Sequence, residues 1–351
     1  MENEATGSGL RIRVDHVALK GIVTAIPESE IKNDAFHSRF GETAVDDIVK
    51  MIGVQTRRHS NELQTTADFC QASAQKLIAE LGWAPESIDA IVFVSQTPDY
   101  RLPATACALQ SRLKLRTSCA ALDVNLGCSG YVYGLWLASK LIDGIAVRRV
   151  LLLAGDTSSK LINPNDRATA MLFGDAGSAT ALEFDQEAHT SYFLLGTDGA
   201  GEKNLMIADG AYRKFEHNDA RLVDKDPSYL FMDGAEVFNF TLKSVPPLVN
   251  DLLAFSGMQQ ETVSWFFFHQ ANQFMLKHII KKLKLPLEKA PINIHRFGNT
   301  SSASIPLVMT DVGSAQALKG DVVMTGFGVG YSWASALLNV DQMQVNALIE
   351  I

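Results

Sequence analysis

Short apolar runs alternate along this chain with longer stretches in which apolar residues return every three or four positions. The first pattern predicts buried strands and the second amphipathic helices, so the chain reads as α/β units. AIVFV at 90–94 is followed by a helical pattern over 104–113. A strand at 120–124, a helix over 129–142 and a strand at 150–153 come next. Further on, WFFF at 265–268 reads as a buried strand, with a helix over 270–284 behind it. The opening MENEATGSGL is acidic and lacks the apolar stretch of a signal peptide; it reads as a polar leader before a first strand near 11–17.

A weak internal repeat organises these elements. Residues 119–184 run strand, glycine turn, helix, strand, glycine turn (FGDAGSA), strand. The same order recurs over 291–340: strand 291–294, turn FGNTSS, helix 304–318, strand 322–325, turn GFGVG, strand 332–340. Two similar halves, 1–185 and 186–351, are therefore expected, with the Cys128 turn of one matching the Asn299 turn of the other. Loops beyond the carboxyl ends of such strands gather where α/β proteins bind ligands.

Composition narrows the choices. The chain has 351 residues, 47% hydrophobic and 20% charged, with net charge −8. That balance and the absence of a lysine- or arginine-rich tract argue against nucleic acid as a partner. Apolar runs such as 150–154 and 265–268 are far too short to span a bilayer. Four cysteines without a C-x-x-C pair suggest neither a disulfide scaffold nor a metal site, and they suit a reducing cytoplasm.

Cys128 lies in ALDVNLGCSGY, where an apolar strand passes through glycine into a helix. Backbone N–H groups and the positive helix end at such a place favour thiolate, the nucleophilic form; the plainer role for a lone cysteine is a small buried hydrophobe. His269 follows the WFFF strand, and Asn299 sits in FGNTSS, where it would equally serve as a turn residue or cap. Ser129 is no hydrolase nucleophile, because GCSG lacks the G-x-S-x-G elbow. GFGVG precedes a strand and so is no dinucleotide loop, and Asp175 in FGDAGSA reads as a turn former.

Several segments together resemble the β-ketoacyl-acyl-carrier-protein synthase III family of thiolase-fold condensing enzymes. They are IGVQTRRH, LPATACALQ, the Cys128 turn, NDRATAMLFGDAGSA, MDGAEVF, HQAN at 269–272, GNTSSASIP and GFGVGYSWASAL. Biosynthetic thiolases carry a second cysteine in the last glycine loop; GFGVG has none. The resemblance implies two similar α/β halves in a five-layered αβαβα fold and a ping-pong reaction without a bound cofactor. Cys128 would carry the acyl group. His269 and Asn299 would bind the oxygen of a malonyl thioester as it loses carbon dioxide, and the N–H of Cys128 with one from 328–330 would form the oxyanion hole. Phe327 would shield the carbanion or simply fill the core.

For binding, the resemblance assigns Arg167, Met232, Gly234, Phe238, Ala271, Asn272, Phe327, Gly328 and Val329 to the thioester substrates. Leu102, in the segment 100–103, would close the acyl pocket of a partner subunit, which implies a homodimer. Leu102 replaces a common phenylalanine and so suggests room for a longer or branched primer. The family grips the adenine of coenzyme A between a tryptophan and an arginine. Here Asp47 stands at the tryptophan position and Met51 at a second arginine position, which points to a donor other than simple acetyl-CoA. Lys277, Lys281, Lys282 and Lys284 offer a basic face to an acidic carrier protein or are solvated surface, while two further basic positions have become Asn239 and Phe274. Transfer of the acyl group to an alcohol or amine, and a silent supporting subunit, are the competing readings.

Overall fold

A computed structural model describes residues 8–213 and 219–351; the polar leader over 1–7 lies outside the described residues. The strands of its two main sheets are β1 (Leu10–Val14), β2 (Val17–Ile26), β3 (Ala90–Val94), β4 (Ala120–Val124), β5 (Arg149–Thr157) and β6 (Asp175–Phe184). The later part of the chain adds β7 (Ser191–Thr197), β8 (Trp265–Phe268), β9 (Asp321–Gly328), β10 (Ser332–Asn339) and β11 (Val345–Glu350). The six-stranded sheet has the order β11-β2-β6-β5-β3-β4, and the five-stranded sheet β1-β7-β10-β9-β8. Each half lends a terminal strand to the other: β1 pairs with β7, and β11 pairs with β2.

The longer helices are α1 (Glu42–Ile52), α2 (Thr66–Glu80), α3 (Thr105–Arg112), α4 (Gly130–Leu141), α5 (Gly234–Ser256), α6 (Gln273–Leu283) and α7 (Ser304–Ala315). Helices α4 and α7 lie between the sheets. Tyr131, Leu135, Ile305 and Val308 share one buried cluster with Val92 and Leu152 of one sheet and Phe267 and Met324 of the other. Helices α2 and α3 cover the outer face of the six-stranded sheet, and α5 and α6 that of the five-stranded sheet. This is the αβαβα arrangement. Helix α4 settles so closely because it lacks side chains where it touches the sheet. A Cβ on Gly134 would stand 2.6 Å from Leu152, and one on Gly130 would stand 2.6 Å from Val94.

Three expectations are corrected. The stretch expected as a strand at 291–294 forms none: Ile294–Phe297 is a short helix, and β8 is left as the edge of its sheet. Pro291 has no N–H to donate to a ladder. The single strand foreseen at 11–17 is two strands in different sheets. Asp175 is no turn former but the first residue of β6, fully buried. Its carboxylate accepts from the N–H and Oγ of both Ser60 and Ser159, at 2.6 to 2.8 Å. It thus ties two loops near the site to the end of the sheet.

Asp175→Ala would strand those donors in the interior. It should lower stability by about 3 kcal/mol, read as a fall in the urea midpoint with unchanged slope. A midpoint equal to that of the wild type would contradict the assignment.

Candidate active site

Cys128 is held just ahead of α4 by backbone packing. A Cβ on Gly326 would stand 2.8 Å from its carbonyl oxygen, and one on Gly328 would stand 2.7 Å from its Cβ and 3.0 Å from Sγ. Strand β9 therefore reaches the thiol only because it ends in glycines. Ser129, the N-cap of α4, is buried, with its Oγ 2.6 Å from Ser332 Oγ, consistent with a structural role.

His269 continues from β8, its N–H donating to the Thr325 carbonyl at 2.9 Å. The imidazole Nδ1 lies 2.7 Å from Ser304 Oγ, which fixes the ring and leaves Nε2 to serve the cavity. Phe327 meets that ring edge-on, with centroids 5.5 Å apart. Asn299 is fixed at its backbone, where its N–H donates to Leu172 and its carbonyl accepts from Gly174. Its Oδ1 accepts from the Ser301 N–H at 2.9 Å, which turns Nδ2 the other way, toward Ala271 and the cavity.

A narrow cavity of about 70 Å³ brings these residues together. Cys128, His269, Asn299, Phe327, Gly328 and Val329 line it, as do Ala271, Asn272 and Met232. Arg167, Gly234 and Phe238 lie outside it, in a groove of about 470 Å³ that leads to the surface. The two share Leu172, Met232, Asn272 and Met275, so they form one passage from the surface to the thiol. Leu102 lines neither; it is 77% exposed. Gln96, Asp156, Ser158 and Ser301 also face the cavity and were not foreseen. Asp156 carried one signal in the sequence: a carboxylate near the end of an otherwise apolar strand.

Burial decides the charge state. The Cys128 thiol is pushed up to about 12, first by desolvation and then by the nearby Asp156 carboxylate. Hydrogen bonds from Ser301 and from the N–H groups of Val329 and Cys128 oppose the shift without reversing it. The thiolate expected from the helix terminus is therefore not the resting form, because loss of water outweighs the dipole. The same desolvation lowers His269 to about 3, with the Ser301 carbonyl opposing in part. Thiol and imidazole both rest neutral at pH 7.

The family model for 3-oxoacyl-[acyl-carrier-protein (ACP)] synthase III matches residues 122–199, and the model for the C terminal part of the same enzyme matches 253–340. A crystal structure of a 3-oxoacyl-(acyl-carrier protein) synthase from Burkholderia xenovorans is 48% identical, with TM-score 0.96 over 98% of this chain and 99% of that one. The β-ketoacyl-[acyl-carrier-protein] synthase III of Roseiflexus castenholzii is 34% identical over 324 residues, 92% of this chain and 97% of the relative. The crystal structure of the synthase III from Pseudomonas aeruginosa is 30% identical, with TM-score 0.82 over 93% and 99% of the two chains.

Alkylation at Cys128, followed by peptide mass spectrometry, should quicken roughly tenfold per pH unit from pH 7 to pH 10, because only the thiolate reacts. A plateau below pH 9 would show the thiol to be acidic instead. Decarboxylation should show no limb near pH 6.5, since His269 stays neutral down to about pH 3.

Proposed function

The chain belongs to the 3-oxoacyl-[acyl-carrier-protein] synthase III family of condensing acyltransferases, and we propose that its reaction runs through an acyl-cysteine on Cys128. The convergence of Cys128, His269 and Asn299 on one buried cavity carries this reading. In the first step the thiol attacks an acyl thioester, the acyl group moves to Sγ, and the thiol proton leaves with the departing thiol. A malonyl thioester then occupies the passage and releases carbon dioxide. Its thioester oxygen gathers enolate charge within reach of the Asn299 amide and the His269 imidazole. With the proton on Nε2, Ser304 donates to Nδ1 and the ring donates into the cavity.

Two neutral donors aimed at a developing oxyanion each contribute on the order of 3 kcal/mol in a site closed to water. The carbanion attacks the acyl-cysteine carbonyl, whose oxygen is met by the N–H groups of Cys128 and Val329. Those two N–H groups already converge on Sγ, and a backbone donor is indifferent to valine standing at 329. Collapse of the adduct breaks the Sγ–C bond and leaves a β-ketoacyl thioester, and Cys128 departs as thiolate and takes a proton from solvent to return to the thiol. Phe327, packed against His269, keeps water from the carbanion.

The outer groove supports a donor held by its pantetheine arm rather than by adenine. Ile48, Met51 and Phe274 give it an apolar mouth beside Arg167, and Asp47 is exposed on α1. No aromatic side chain from α1 lines this mouth. We therefore read the donor as carrier-borne or as a CoA ester other than acetyl-CoA. The exposed Lys277, Lys281 and Lys284 suit an acidic carrier protein, while Lys282 donates to the Leu242 carbonyl at 2.8 Å. A homodimer in a reducing cytoplasm completes the reading. Strand β4 is the edge of its sheet and half-exposed, and Tyr100 and Leu102 are exposed at 58% and 77%.

Incubation with acyl thioesters should add one acyl mass to the intact protein, and Cys128→Ala should abolish it. Asn299→Ala should cut malonyl-dependent release of carbon dioxide about a hundredfold. Retained acylation without any release of carbon dioxide would favour transfer to an alcohol or amine. In calorimetry, acetyl-CoA should bind no more tightly than acetyl-pantetheine; a tenfold gain from the adenosine part would sink the donor assignment.

A further inference from the structure

Asp156, next to last in β5, has a buried carboxylate on the cavity wall, and the steps above give it no part. Its two oxygens divide between the two halves of the fold. Oδ1 accepts from the Gln96 N–H at 2.7 Å, Ser95 Oγ at 3.2 Å and Thr97 Oγ1 at 3.4 Å, all on the segment after β3. Oδ2 accepts from the N–H and Oγ of Ser302, at 3.2 and 2.8 Å, on the loop that carries Asn299. Between Asn299 and Ser302 stands Ser301, at φ +50°, a conformation its own side chain does not favour and its neighbours must hold. The Ser301 N–H is the group that orients the Asn299 amide.

We propose that Asp156 is a positioning residue for decarboxylation: it clamps residues 301–302 of the second half to the 95–97 turn of the first and so sets where the Asn299 amide stands relative to Cys128. The clamp needs a carboxylate. Each oxygen receives a backbone N–H, from Gln96 or from Ser302, and neither donor can become an acceptor. Asparagine in either orientation turns its NH₂ toward one of those N–H groups, so one side of the clamp opens. The backbone of Cys128 is placed by glycine contacts to β9 and by α4, while its thiol also meets Ser301 and feels the Asp156 charge, which holds it up. The acyl-transfer half-reaction should therefore survive where decarboxylation does not.

The proposal rests on the roles given to Cys128 and Asn299, and the test separates the two. Asp156→Asn, Ser302→Ala and Asn299→Ala are compared with the wild-type enzyme in two assays: acylation of Cys128 by mass spectrometry, and release of carbon dioxide from a malonyl thioester. Asp156→Asn should slow decarboxylation by roughly ten- to a hundredfold, the scale of a misplacement near 1 Å, while acylation is not slowed, because losing the Asp156 charge relieves one cause that pushes the Cys128 thiol up. Ser302→Ala removes one of the bonds to Oδ2 and should slow decarboxylation less, again with acylation kept. Equal losses in both assays for Asp156→Asn, or no loss in decarboxylation for either variant, would overturn the clamp. Undiminished decarboxylation by Asn299→Ala would overturn the site reading itself. If Asp156→Asn does not fold, Ser302→Ala alone decides.

Discussion

Everything at this site depends on how closely α4 and α7 pack between the two sheets. The two helices share one apolar core with both sheets, and the loops before them bring Cys128 and Asn299 to one cavity. Close approach then becomes possible only where side chains are missing. Gly130 and Gly134 let α4 down onto β3 and β5, and Gly326 and Gly328 let β9 pass within contact of Cys128. Protein interiors are packed too densely to absorb an added methyl at such points without displacement. The positions of the thiol and of the backbone donors beside it are thus consequences of core packing.

That packing also buries the site, and burial sets its chemistry. A thiol pushed up to about 12 and an imidazole held near 3 form a neutral pair. Neutral donors do not compete with one another for the charge that appears on a substrate oxygen, and they are ready before it appears. In the proposed mechanism the helix terminus serves as a source of an N–H group for an oxyanion rather than as a means of ionising the nucleophile at rest. Desolvation raises the buried Asp156 carboxyl, and backbone and hydroxyl donors on both its oxygens oppose that shift.

Chemistry and recognition are separated along the passage. The inner cavity brings Cys128, His269 and Asn299 together, whereas the outer groove opens through an apolar mouth of Ile48, Met51 and Phe274. The groove is formed by α1, α5, α6 and the 167–172 segment, and none of its lining residues belongs to the core between the sheets, so it can change without disturbing that core. Donor choice can therefore diverge among relatives while Cys128, His269 and Asn299 stay in place.

Much of this was legible in the chain itself. Hydrophobic periodicity marked the strands and most helices, because burial against a sheet or between sheets imposes a period on the sequence. The repeat paired the Cys128 and Asn299 loops, and HQAN with GNTSSASIP pointed to the family. The exchange of β1 and β11 between halves was not legible, since strand pairing at a distance leaves no local mark. Nor was the absence of a strand at 291–294, where proline and a short helix override apolar content. Asp175 and Asp156 looked like turn chemistry or passed unnoticed, because a buried carboxylate is explained only by donors far off in sequence. The charge state of Cys128 was misjudged for the same reason. A helix terminus is a local property that the sequence shows, whereas desolvation is the sum of everything packed around the thiol, and only the tertiary structure supplies it.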